Sequence, residues 1–118
     1  MTVDPDYNGK ETIEGAKKVE NLSITYNVEK GILNCKTDGR IDTISAPALL
    51  EVLDSNSEGV NAVRIDADNL EYISSAGLRV LLMAMKKHGG GSVSVYGASD
   101  PVKEIFETTG FDQMIRIE

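Results

Sequence analysis

The sequence predicts an α/β fold, a mixed sheet of about five strands covered mainly on one face by three helices. Three observations lead there. Two segments with period-two hydrophobicity stand close together near the start, and further short apolar runs follow them. Apolar stripes at helical spacing alternate with those runs, and glycine or proline marks most of the junctions.

Residues 1–20 differ from the rest. Asp4-Pro5-Asp6, Asn8-Gly9 and Gly15 are turn or breaker signals, and large apolar residues are sparse. The stretch is expected to be a mobile extension, with a short helix around Glu11 to Val19 as its only regular element. That helix has weak punctuation, because Thr12-x-x-Gly15 lacks the acid of a capping box. Residues 21–118 are expected to form the folded domain.

From Leu22 the pattern sharpens. Leu22-Ser23-Ile24-Thr25-Tyr26 alternates as a half-buried strand does, and Asn27 to Gly31 should turn the chain. Leu33, Cys35 and Thr37 then alternate with Asn34 and Lys36, so the two strands read as a hairpin. Val60 to Ile65, Ser92 to Tyr96 and Met114 to Ile117 supply three more strands.

Three helices lie between them. In the first, Ala46, Leu49, Leu50 and Leu53 recur at helical spacing, with Ser45 as N-cap and Pro47 in the first turn. The second repeats the spacing at Leu78, Leu81, Leu82 and Met85, capped by Ser74 or Ser75. Its last turn holds Lys86, Lys87 and His88, which suit the negative helix end, before Gly89-Gly90-Gly91 stops it. The third has Val102, Ile105, Phe106 and Thr109 between Ser99-Asp100-Pro101 and Gly110.

Composition excludes several classes of function. The chain has 118 residues, enough for one domain, and 41% hydrophobic content, enough for a core. A formal charge of -7 opposes the electrostatics of nucleic-acid and anionic-membrane binding. No apolar run reaches the ~20 residues that cross a bilayer, so membrane insertion is not expected. The acidic start lacks an apolar signal region, which points to the cytoplasm. A single cysteine, Cys35, rules out an internal disulfide and thiolate zinc clusters.

Little in the sequence points to catalytic chemistry. His88, the only histidine, sits in a lysine-rich helix end, and Cys35 alternates with apolar residues as a core side chain would. Asp66-Ala67-Asp68-Asn69 resembles the start of a calcium loop, but Leu70 and Glu71 stand where an oxygen ligand and the turn glycine are needed. A strand-end turn is the expectation there. No phosphate-binding glycine motif occurs, and Gly89 to Gly91 follow a helix rather than open one. Neither an enzyme nor a cofactor or metal site is predicted.

The informative stretch is Asn69 to Leu81, where a loop enters a helix through Ser74-Ser75-Ala76-Gly77. Small residues let another molecule approach the backbone, and the helix start offers free N–H groups to an anion. A serine there is either a plain cap or a place where an added phosphate fits without melting the helix.

From Leu22 to Ile117 the chain resembles a STAS domain, the fold of bacterial anti-sigma-factor antagonists and of the cytoplasmic tails of sulphate transporters. Three segments carry the resemblance. Thr37-Asp38-Gly39-Arg40-Ile41-Asp42 is similar to the family's turn after the second strand. Tyr72-Ile73-Ser74-Ser75-Ala76-Gly77-Leu78 is similar to its serine-glycine-leucine signature. Val102 to Glu107 with Thr109-Gly110-Phe111 is similar to its last helix and exit.

The resemblance implies a non-enzymatic switch protein. Its phosphorylated serine falls on Ser75, with Ser74 as the alternative, because many antagonists have Asp where this sequence has Ser74. Asp42 corresponds to an acid near that serine; a turn acceptor is the equal alternative. Asp42, Ser74, Ser75, Ala76, Gly77 and Arg79 are the expected partner-binding residues. The implied partners are an anti-sigma factor that is also a serine kinase, and a serine phosphatase. The alternative function is an unphosphorylated scaffold, or a nucleotide- or lipid-binding module of a transporter or stress-signalling complex.

Overall fold

A computed structural model describes residues 13–118. Expectations for residues 1–12, including the Asp4-Pro5-Asp6 and Asn8-Gly9 turns, lie outside the described residues. The elements in order are β1 (Ile13–Val19), β2 (Leu22–Glu29), β3 (Ile32–Ile41), α1 (Ala46–Ser55), β4 (Ala62–Ile73), α2 (Ser75–His88), β5 (Val93–Tyr96) and α3 (Asp100–Thr109). A short 3-10 turn (Phe111–Gln113) and β6 (Arg116–Ile117) complete the chain.

The strands lie in sequence order, β1 to β6. β1, β2 and β3 pair antiparallel, and β3 to β6 pair parallel. Each parallel strand is added on the same side of its predecessor. Right-handed crossovers then bring all three helices to one face, as a mixed sheet with one covered side requires. That face buries Leu22, Ile24, Leu33, Val63, Ile65 and Val95 against Leu49, Leu81 and Phe106, each at most 2% exposed. Each such side chain contributes about 2 kcal/mol by leaving water. The other face is polar. Thr25, Lys36, Asp66 and Tyr96 follow one another across four strands in register.

Four details correct the expectations. Ile13–Val19 is a strand paired with β2, neither helical nor a free extension, so the folded unit includes these residues. It is an edge strand with alternating half-burial; Tyr26 lies over Gly15, and the Lys17 ammonium meets Glu51 of α1 at 2.8 Å. The hairpin turn is shorter than Asn27 to Gly31. Lys30 and Gly31 both have positive φ (53° and 77°), the geometry of a two-residue hairpin turn, so Asn27 to Glu29 stay in the strand. Asp66 to Asn69 do not end a strand. β4 continues to Ile73, absorbing the polar run at two register shifts against β3. The inward face of α2 is also rotated from the expected stripe. Gly77, Leu78, Val80, Leu81 and Ala84 are buried, whereas Leu82 and Met85 are only half-buried.

Cys35 is a core residue as expected, 1% exposed, with its thiol pushed up to about 12 by burial. Among the described residues no helix is long and apolar enough to cross a membrane.

Candidate functional site

Ile41 and Ile73 end β3 and β4 side by side, so α1 and α2 begin next to each other. Gly39 sets the approach. Its φ is +117°, and a Cβ there would run into the Asn21 carbonyl, so only glycine fits. The tight passage lets the Arg40 amide donate to that carbonyl at 2.9 Å.

Asp42 then stops the strand. Its Oδ1 accepts the amides of Ile44 and Ser45, each at 3.0 Å, and its Oδ2 accepts Asn21 Nδ2 at 2.6 Å. The Ser45 amide is the main reason that the carboxyl lies below its ordinary pKa. Burial opposes the shift, while Ile44, the Ser45 hydroxyl and Asn21 reinforce it. Ser45 is therefore not the side-chain cap that its position predicted. Its backbone is already helical (φ -96°, ψ -18°), and its hydroxyl is used inward. That hydroxyl accepts the Asp42 amide at 2.9 Å and points its proton at the Arg40 carbonyl (2.7 Å) and Asp42 Oδ1 (3.1 Å). Asp42 thus fills the turn-acceptor role.

The two serines of the second entry are in different situations. The Ser74 amide donates to the Ile41 carbonyl at 2.7 Å, and Ser74 Oγ accepts the Gly77 amide at 3.3 Å. Ser74 is the N-cap of α2, extended and half-buried. Ser75 opens the helix, is exposed, and its hydroxyl makes no hydrogen bond among the described residues. Ala76 is half-buried. Gly77 is buried so tightly that a Cβ would sit 2.5 Å from Ile41 Cγ2 and 2.7 Å from Ile73 Cγ1. Its need for glycine is one of space between the two strand ends.

The fold thus gathers Asp42, Ser74, Ser75, Ala76 and Gly77 at one end of the sheet. Arg79 lies one helical turn on from Ser75, exposed and outside any ion pair among the described residues. Two neighbours escaped the sequence reading. Ile44, between Asp42 and Ser45, is 69% exposed, and Arg40 stacks on Tyr72 at 4.6 Å. An isoleucine in the polar run Asp42-Thr43-Ile44-Ser45 was the available signal for the first. Among the described residues no cluster of His, Cys, Asp and Glu could hold a metal. The site offers a surface, a serine hydroxyl without a partner among the described residues, and helix-start N–H groups.

Comparison with known proteins finds related sequences and similar folds. The chain is 33% identical over 84 residues to an anti-sigma-B factor antagonist of Listeria monocytogenes, covering 68% of this chain and 73% of that one. An anti-sigma factor antagonist from Mycobacterium paratuberculosis has a solved structure with TM-score 0.66 and 22% identity, covering 98% and 89% of the two chains. The Bacillus cell fate determinant SpoIIAA in its phosphorylated form shares the fold at TM-score 0.58 and 12% identity, covering 90% and 91%. A sequence model of the STAS domain matches residues 23–118, nearly all of the described fold. The chain belongs to the STAS domain family.

Proposed function

We propose that this protein is an anti-sigma-factor antagonist, switched by phosphorylation of Ser75. Its relatives bear the antagonist name, and one protein with the same fold has been solved in a phosphorylated form. The observation that carries the reading is the contrast between the serines. Ser74 is committed to the cap, whereas Ser75 is exposed and its hydroxyl has no hydrogen-bond partner among the described residues.

Unphosphorylated, the Ser75 surface docks on an anti-sigma factor in the cytoplasm and releases the sigma factor. That partner, acting as a serine kinase, moves the γ-phosphoryl of ATP to Ser75 Oγ. The serine proton leaves to the kinase, and ADP departs. ATP and magnesium belong to the partner, and this chain is the substrate. A serine phosphatase hydrolyses the ester and resets the switch. The phosphate adds about -1.5 to -2 charge where the partner docks, while the α2 start tolerates it through its free N–H groups.

Binding titrations test this against the purified anti-sigma factors of the host. Unmodified protein and Ser75→Ala should bind one of them. Protein carrying phosphoserine at position 75 should bind about 100-fold more weakly or worse, near 3 kcal/mol. Equal binding of both forms would remove the switch and leave an unphosphorylated scaffold.

A further inference from the structure

α2 is unusual within this chain. The whole sequence carries a formal charge of -7, yet α2 contains Arg79, Lys86 and Lys87 and no acidic residue. Lys87 leans towards Asp54 of α1 at 3.8 Å, while Arg79 and Lys86 are in no ion pair among the described residues. At 100° per residue, Ser75, Arg79, Leu82 and Lys86 fall in one sector of the helix about 60° wide, and Met83 borders it. Leu82 is half-buried and Met83 is 46% exposed. Ile44 is 69% exposed in the turn before α1, and the strand end that precedes this turn pairs with the one that precedes α2. Favourable placement of cations at a helix end explains Lys86 and Lys87. It does not explain Arg79 in the second turn, or two apolar side chains on the solvent side.

Resting on the antagonist reading, we infer that this outward stripe of α2 seats the anti-sigma factor, with Ile44 at its head. The partner meets it with an apolar patch bordered by carboxylates. A basic rim around a small apolar strip is the pattern of a polar-edged interface. Its charge complements an acidic surface, and the excess acid elsewhere on this chain repels such a surface from other faces. The stripe also runs on from Ser75 at its first turn. A phosphate there places a dianion where the partner's carboxylates arrive, so one modification both blocks contact and cancels the attraction. Lys86 lies about 16 Å along the axis from Ser75, far enough to be tested separately.

The test is binding of the host's purified anti-sigma factors to wild type, Lys86→Glu, Met83→Ser and Lys18→Glu, with circular dichroism to confirm folding. Lys18 is exposed on β1 and changes net charge equally. Lys86→Glu and Met83→Ser should each weaken binding about 10-fold or more, the former mainly through slower association. Lys18→Glu should stay within about 2-fold, and added salt should weaken wild-type binding. If Lys86→Glu behaves like Lys18→Glu, or binds more tightly, the inference is overturned while a phosphate-sensitive wild type keeps the antagonist reading. A wild type that binds none of these anti-sigma factors overturns both.

Discussion

The amide of Ser74 donates to the carbonyl of Ile41 at 2.7 Å, tying the start of α2 to the end of β3. This one bond places the Asp42 turn and the Ser75 hydroxyl at the same corner, although 33 residues of sequence separate their positions. The corner depends on β3 and β4 ending together, so changes at the strand ends should reach the switch surface.

Gly77→Ala is the sharpest such change. Its new Cβ would press on Ile41 and Ile73, the side chains that end the two strands. Overpacking costs about 1–3 kcal/mol, against a gain of up to about 1 kcal/mol from replacing glycine in a helix. Urea titration should show a net loss of about 1–2 kcal/mol, and an unchanged midpoint would mean that the isoleucines move aside freely.

The two serines should separate in stability. Ser74→Ala removes the acceptor of the Gly77 amide and should cost about 1 kcal/mol. Ser75→Ala touches no such bond and should stay within about 0.5 kcal/mol. Chemical denaturation of both variants would reveal a misplaced cap if the order were reversed.

Asp42 makes the corner sensitive to acid. Its carboxyl lies below the ordinary value of 3.8 because the folded turn supplies donors to the charged form. A depressed folded pKa stabilises above the unfolded pKa, and that contribution fades as pH falls through the folded value. Asp42→Asn lacks the contribution at every pH. Its melting temperature should therefore lie furthest below wild type near neutrality, with the gap closing below about pH 4. Melts across that range check the direction; a gap that widened in acid would contradict it.

Removing residues 1–19 should be damaging. It strips β1 from the sheet, exposes the edge of β2, and deletes the Lys17 contact to α1. The melting temperature should fall well beyond about 5 °C, roughly 1 kcal/mol for a domain of this size. An unchanged melt would make β1 dispensable.

Particular residues explain what the sequence could and could not tell. Leu22 to Tyr26, Leu33 to Thr37 and the Leu78–Leu81 core of α2 were legible because burial on one face imposes a clean period. β1 was not, because an edge strand needs few large apolar residues, and Gly15 under Tyr26 looks like a breaker. The β4 extension was hidden because bulges let Asp66 to Asn69 remain in a strand. The rotated face of α2 was missed because Val80 and Ala84 pack inward while Leu82 does not. At the site, serines at a helix start were visible as such. Which hydroxyl is engaged depends on the Gly77 amide, a contact that no spacing rule resolves.

Phosphate transfer to the two serines tests the central claim most directly. The host's anti-sigma-factor kinase, radiolabelled ATP and folded wild type, Ser74→Ala and Ser75→Ala are sufficient. The exposed hydroxyl of Ser75 predicts label on wild type and on Ser74→Ala, and none on Ser75→Ala. Label that persisted on Ser75→Ala and vanished from Ser74→Ala would move the switch to the capping serine. No label on any of the three, with a kinase active on its own control substrate, would contradict the switch itself.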